Sequence, residues 1–254
     1  MTDETELVLV HEDDGVLTLT LNRPQASNAL DGALVDALDS ALDSAQAASP
    51  RCVVLRAAGK RFCVGGDVTT FGAGVDADEI AAHVLRTASV VRRLHNLEAP
   101  LVTVVHGAVA GAGLALVLAA DIVVAARSTR FVPAYSALGL TPDVGVSWLL
   151  PRIVGERRAV EYLVTGREIT ADEARDWGIV AEVVDDDDAA AGRAAAMARR
   201  IADSGDAARE TKRLLRAASR TTADESAADE AATFRRALVS DVAQRRIAAF
   251  LDRP

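Results

Sequence analysis

The stretch Leu101–Ala126, LVTVVHGAVAGAGLALVLAADIVVAA, constrains this chain most. Its first twenty residues carry no acidic or basic group except His106. A run of about 20 apolar residues must first be tested as a membrane helix. Three local features oppose that reading. Val102, Thr103, Val104 and Val105 are β-branched, stiff at χ1 and suited to a strand. Gly107, Gly111 and Gly113 interrupt the run with permissive backbone. Asp121 closes the apolar block Leu114–Ala120, and a second β-branched run, Ile122–Val124, follows. The pattern predicts a buried strand, a glycine-rich turn, a buried helix and a second buried strand.

The remainder must supply the layers that bury this unit. At 254 residues the chain has the length of one large domain, or a domain with an appendage. Half its residues are hydrophobic but only 4% are aromatic, so Ala, Val and Leu must fill the core. A formal charge of −9 excludes a general affinity for nucleic acid or anionic membrane. Cys52 and Cys63 are the only cysteines and form no CxxC pair. A zinc or redox motif is therefore absent, and free thiols in a reducing compartment are expected. The start, MTDETELVLV, lacks the basic and apolar regions of a secretory signal, so a cytoplasmic location is expected.

Along the chain, Leu7–His11 and Val16–Asn22 flank Asp13-Asp14-Gly15 as a hairpin. Asp31 is placed to cap a helix whose Leu34, Leu38 and Leu42 recur every four residues as far as Ala48. Cys52–Leu55 reads as a strand and residues 57–71 as a loop built on Gly59, Gly65 and Gly66. Ala77–Leu97 reads as a helix with Val84, Val90, Val91 and Leu94 toward the core. Phe131–Gly145 reads as loop and short turns, Glu156–Val164 and Ala171–Trp177 as helices, and Ile179–Val184 as a strand. The run Asp185–Asp188 admits a metal reading, but acidic residues at a helix start explain it more simply. From about residue 190 onward, Ala/Arg/Glu/Leu-rich patterns predict an all-helical tail of some three helices. The expected division is an α/β body over 1–190 and a helical region over 191–254.

Several chemistries are excluded by spacing. His11, His83, His95 and His106 stand in no recognisable triad order, and no GxSxG elbow is present. Gly107, Gly111 and Gly113 lack GxGxxG spacing, and no Walker motif occurs. Two glycine-rich turns remain, VGGD at 64–67 and GAG at 111–113, each following a strand. The second opens a helix, where free N–H groups and the dipole favour negative charge. Should both turns aim an N–H at one point, they would form an oxyanion hole.

The segments LTLNRPQASNAL (18–30), GKRFCVGGDV (59–68) and HGAVAGAGLALVLAADIVVAA (106–126) resemble the crotonase, or enoyl-CoA hydratase/isomerase, superfamily. So do FVPAYSALGLTPDVG (131–145), LPRIVG (150–155) and LVTGREITADEARDWGIVAEVV (163–184). The resemblance runs in order over essentially the full length. It implies an α/β spiral of ββα units with a helical C-terminal region that mediates trimers or hexamers. It implies an acyl-CoA thioester substrate, with coenzyme A as part of the substrate and no metal or redox cofactor. By the same resemblance Gly66 and Ala112 supply the two N–H donors to the thioester oxygen. Asp67, Val68 and Thr69 line the thioester region with Gly66, Ala26 meets the adenine end of coenzyme A, and residues 70–100 shape the acyl pocket.

Hydratases of this superfamily carry two glutamates, at positions matching Ala115 and Tyr135 here. Neither carboxylate is present. Ala115 and Tyr135 are then expected to line the substrate region, Tyr135 chiefly as a packing residue. Asp143, in TPDVG, reads by itself as the cap of a helix beginning near Val144. LGLxPDxG, however, resembles the segment bearing the acidic base of enoyl-CoA isomerases and ring 1,2-epoxyphenylacetyl-CoA isomerases. The expected activity is a proton and double-bond shift in an acyl-CoA, or ring expansion of an aryl epoxide thioester. Rival readings are hydration, dehalogenase-like nucleophilic attack by Asp143, and acyl-CoA binding without catalysis.

Overall fold

The computed structural model of the chain describes residues 6–72 and 74–252, so the first five residues of the acidic start lie outside it. Strands β1 (Val8–Asp13) and β2 (Val16–Leu21) form the expected antiparallel hairpin. Its turn residues Asp14 and Gly15 have φ of 51° and 77°, the two positive values a type I′ turn requires. Helix α1 (Gly32–Ala48) is capped by Asp31, whose carboxylate accepts from the Leu34 N–H at 2.8 Å. Leu34, Leu38 and Leu42 are all buried. Strand β3 (Cys52–Ala57) and the glycine loop lead to α2 (Ala77–His95), on which Val90, Val91 and Leu94 are buried and Val84 is half-buried.

The stretch from Leu101 resolves into β4 (Leu101–Val105), β5 (Ala108–Ala110), α3 (Ala112–Leu118) and β6 (Ile122–Ala126). The correction to the sequence reading is β5. The residues between Gly107 and Gly111 form a short strand of a second sheet rather than a turn. Then follow β7 (Arg130–Val132), α4 (Val146–Val154), α5 (Glu156–Thr165), β8 (Ile169–Thr170), α6 (Ala171–Asp176) and β9 (Glu182–Val184). Phe131 and Val132 lie in β7 rather than in the expected loop, because a three-residue strand is too short to carry a periodic signal. Pro151 lies inside α4. Helices α7 (Asp187–Asp203), α8 (Ala207–Ala217), α9 (Ala223–Leu238) and α10 (Asp241–Leu251) complete the chain.

The larger sheet has the order β1-β2-β3-β4-β6-β9, parallel except for the hairpin; the smaller has the order β5-β7-β8. Pairs β4/β5 and β6/β7 each place one strand in either sheet and are followed by a helix, which is the spiral of ββα units. Alternation across the large sheet explains its continuous apolar strands. Val53, Leu55, Leu101 and Val105 face the main core. Cys52, Val54, Val102, Val104, Val124 and Ala126 face the other way, against Ala190, Ala194 and Ala198 of α7. Residue 190, where the tail was expected to begin, therefore lies in a helix that covers the sheet. The tail holds three further helices beyond α7. Asp186 caps α7 by accepting from the Ala189 N–H at 2.8 Å, which gives the acidic run its role.

An ion cluster around the buried Lys212 ties α8 to the strand layer. Lys212 Nζ meets Asp121 Oδ2 at 2.6 Å and donates to the Ala99 carbonyl at 2.9 Å. Arg216 reaches Asp121 Oδ1 at 2.7 Å, and the Leu101 N–H donates to Oδ2 at 2.8 Å. Burial pushes the Lys212 ammonium below its ordinary range, opposed by Asp121.

Candidate active site

The two glycine-rich turns touch. Gly65 has φ 98°, and a methyl group built on it would stand 2.9 Å from the Ala110 carbonyl oxygen and 3.1 Å from the Ala112 nitrogen. Only glycine admits so close a backbone approach at that φ. Neighbouring ladders hold the contact in place. The Ala110 N–H donates to the Cys63 carbonyl at 2.9 Å, and Cys63 N–H to Ala108 at 3.3 Å. On the other side the Leu30 N–H donates to the Gly65 carbonyl at 2.7 Å and the Asp67 N–H to the Leu30 carbonyl at 3.4 Å, bridging Leu30 to Gly66. Ala112 is the first residue of α3, where N–H groups have no intrahelical acceptor. Among the described residues neither the Gly66 nor the Ala112 N–H donates to a protein acceptor.

Asn28 organises this junction, and nothing in the sequence reading marked it. Its side chain donates to the Ala58 and Arg61 carbonyls at 2.9 and 3.0 Å and accepts from the Arg23 N–H at 2.9 Å. The available signal was an asparagine in a short loop, since Asn tolerates the left-handed backbone seen here at φ 55°. His106 is buried with Nε2 2.9 Å from the Gly59 carbonyl oxygen.

Asp143 precedes α4, and α4 packs on α3. The capping role is overturned. Helix α4 begins at Val146, its N-cap Gly145 makes no side-chain cap, and only the Asp143 carbonyl accepts from Val146 N–H. The carboxylate instead accepts the Tyr135 hydroxyl at 2.9 Å. Tyr135 is buried as expected, but its hydroxyl is committed to this bond rather than to packing alone. Burial pushes the Asp143 carboxyl above its ordinary range, against the Tyr135 hydroxyl, the backbone donor and the charge of His83. Burial and the Asp143 charge drive the Tyr135 phenol far upward, so it stays a proton donor to the carboxylate. Ala115, one turn beyond Ala112, is fully buried and offers no polar group.

The other predicted residues separate into two groups. The Asp67 carboxylate accepts from the Thr69 N–H and hydroxyl at 3.2 and 2.6 Å and from Arg23 at 3.1 Å. These bonds hold it below the usual carboxylate range, the Thr69 hydroxyl most, and they shape the turn at Val68–Phe71. Val68 is exposed beside it. Ala26 ends the 3-10 turn Pro24–Ala26, two residues before Asn28, and Arg61 donates to the neighbouring Ser27 hydroxyl at 3.0 Å. Gly66, Ala112 and Ala115 thus share one junction, while Tyr135 and Asp143 lie on the loop before α4, the helix that packs on α3.

Known proteins share this sequence and this fold. The sequence profile of the family described as enoyl-CoA hydratase/isomerase matches residues 11–254. The chain is 41% identical over 186 residues to the 1,2-epoxyphenylacetyl-CoA isomerase of Escherichia coli (strain K12), covering 71% of this chain and 70% of that one. It is 37% identical over 183 residues to the trans-2-decenoyl-[acyl-carrier-protein] isomerase of Streptococcus mutans, covering 70% and 69%. The crystal structure of an enoyl-CoA hydratase from Polaromonas sp. JS666 superposes with a TM-score of 0.87 at 33% identity, over 96% of each chain. By profile, sequence and fold alike, the chain belongs to the enoyl-CoA hydratase/isomerase family, the crotonase superfamily.

Proposed function

We propose that the chain is an acyl-CoA isomerase that moves a proton and a double bond. The Gly66 and Ala112 N–H groups hold the thioester oxygen. Asp143 takes a proton from the α-carbon of a 3-enoyl-CoA, the electron pair enters the thioester as a dienolate, and Asp143 returns the proton at the γ-carbon. The product is a 2-enoyl-CoA and the carboxylate is regenerated. Ala26, Asp67, Val68, Thr69, Ala115 and Tyr135 line the bound thioester. Coenzyme A is part of the substrate, and no further cofactor enters the scheme. The observation that carries this reading is Asp143. It is a buried carboxylate on the loop leading into α4, raised above its ordinary range by burial, while the positions that the resemblance sets for a hydratase's two acids hold Ala115 and Tyr135.

The experiment compares 3-hexenoyl-CoA with crotonyl-CoA, using the protein and its Asp143→Asn variant. Isomerisation should fall by about 10²–10⁴-fold in the variant, the usual worth of a general base. Rapid hydration of crotonyl-CoA, or an undiminished variant, would remove the isomerase reading. Binding of both thioesters without turnover would leave a non-catalytic acyl-CoA-binding protein. The 41% identity to an epoxyphenylacetyl-CoA isomerase favours an aryl epoxide thioester as the second substrate to assay. We also propose a homotrimer or hexamer, in which the exposed Phe234, Val239 and Leu251 of the last helices are covered. Light scattering showing a monomer at micromolar concentration would exclude it.

A further inference from the structure

Among the described residues the Gly66 N–H has no protein acceptor, so its direction must be fixed through its neighbours. It shares a planar trans peptide with the Gly65 carbonyl, and the two groups point in opposite directions. That carbonyl is held by the Leu30 N–H at 2.7 Å, and the Leu30 carbonyl takes the Asp67 N–H at 3.4 Å. Leu30 is thus bonded to both neighbours of Gly66 in a parallel bridge. Where Leu30 sits decides where the free N–H points.

Arg23 encloses this bridge. Its Nη1 donates to the Ala29 carbonyl and to Asp67 Oδ2, each at 3.1 Å, and its Nη2 meets Asp31 Oδ2 at 3.2 Å. One guanidinium therefore holds the residues on either side of Leu30 and the residue after Gly66. Each carboxylate gives its other oxygen to its own turn, Asp31 to the Leu34 N–H and Asp67 to Thr69. The Arg23 backbone is pinned as well, since its N–H donates to the Asn28 side chain and its carbonyl accepts from the Asn28 N–H, both at 2.9 Å. The side chains of Arg23, Asp31 and Asp67 are 19, 26 and 15% exposed, so water screens the cluster only in part. Without the cation, two carboxylates would be left together beside the Gly66 turn and would push it open.

We propose that Arg23 is a positioning residue for the oxyanion hole, clamping the Leu30–Gly66 bridge so that the Gly66 N–H is aimed before the substrate arrives. The proposal rests on the reading of Gly66 as a donor to the thioester oxygen. Such a donor stabilises developing charge to the extent that it need not reorganise during the reaction. A lysine would keep the charge, but a point charge cannot span three acceptors as a planar fork does.

The test reads the carbonyl of a bound thioester that has no double bond to move. Hexanoyl-CoA labelled with ¹³C at the thioester carbon is bound to the parent protein, to Arg23→Lys and to Arg23→Met, and its C=O stretch is followed by isotope-edited infrared difference spectroscopy. Binding to the parent should shift the band to lower wavenumber, the mark of hydrogen bonds to the oxygen. The downshift should shrink in Arg23→Met and take an intermediate value in Arg23→Lys. Band position, unlike intensity, does not depend on the fraction of protein folded, so a merely structural role leaves it in place. A downshift in Arg23→Met equal to the parent's overturns the proposal and leaves the donor reading standing. Should Arg23→Met not fold, Arg23→Lys carries the comparison, and an undiminished downshift there has the same force. No downshift in the parent sinks the donor reading, and the proposal with it. On 3-hexenoyl-CoA, kcat should fall about tenfold in Arg23→Met, short of the roughly 10²–10³-fold of a deleted donor, with KM changed by less than about twofold. A raised KM with kcat retained would make Arg23 a substrate contact and overturn the positioning role.

Discussion

The Tyr135 hydroxyl donates to Oδ1 of Asp143 at 2.9 Å, tying this buried phenol to the carboxylate proposed as base. A hydrogen bond to a charged group is worth about 1.5–3 kcal/mol, and this one favours the ionised carboxylate. Its loss therefore adds to the upward push of burial. In Tyr135→Phe the acid limb of kcat/KM should move to higher pH than in the parent, read from rates on 3-hexenoyl-CoA. A limb that stays put, or moves down, would show that the hydroxyl does not control the base.

Gly65 lets the two turns meet, and its substitution tests that contact. Alanine there would keep φ near 98° and press a methyl group on the Ala110 carbonyl. Such left-handed strain costs about 1–3 kcal/mol, so Gly65→Ala should unfold at a lower urea midpoint. Acyl-CoA turnover should fall with it, because relief of the clash displaces the Ala112 N–H. A variant with parental stability and activity would contradict the close approach.

Asp121 answers the Lys212 ammonium beneath the strand layer at 2.6 Å. Lys212 is buried while Asp121 is partly exposed, so removing the carboxylate leaves a buried ammonium without its counter-charge, a loss below the roughly 3–5 kcal/mol typical of a fully buried pair. Asp121→Ala should lower the thermal midpoint markedly at pH 7. The double variant Asp121→Ala/Lys212→Met should recover part of the loss, since no lone charge is then buried. Equal stability of the single and double variants would show that the pair does not act as a unit.

The two thiols should be unreactive in the folded protein. Burial pushes Cys63 up to about 12. Cys52 is also pushed up to about 12, by burial first and then by the Asp121 charge. The thiolate is the nucleophile, and neither side chain offers it or a path to it at pH 8. Intact-mass measurement after iodoacetamide should find no label on the native protein and two on the guanidinium-unfolded one. Rapid labelling of the native protein would contradict the buried positions.

Much of this architecture was legible because it rests on local physics. The Asp14-Gly15 turn, the Asp31 cap and the Leu34/Leu38/Leu42 stripe appear where backbone preference and helical period place them. Asp143 shows where local rules mislead. Its sequence neighbours suit a cap, but Gly145 moves the helix start to Val146 and Tyr135, eight residues back, takes the carboxylate. The roles of Asn28 and Lys212 were hidden because the carbonyls Asn28 donates to lie about 30 residues away, and the partners of Lys212 about 90 and 110, beyond any pattern a window can hold.

For Leu101–Ala126, sequence alone determined that strand, helix and strand follow one another, since β-branched runs and glycines act on the residues that carry them. It also determined that Ala115 holds no acid. The tertiary structure alone decided that β5 belongs to a second sheet, and that Gly65 meets Gly111–Ala112 closely enough to hold two free N–H groups at one junction. It alone set the Tyr135 hydroxyl against Asp143. Those relations depend on packing between segments far apart in the chain, where van der Waals contact and burial, rather than local preference, choose the neighbours.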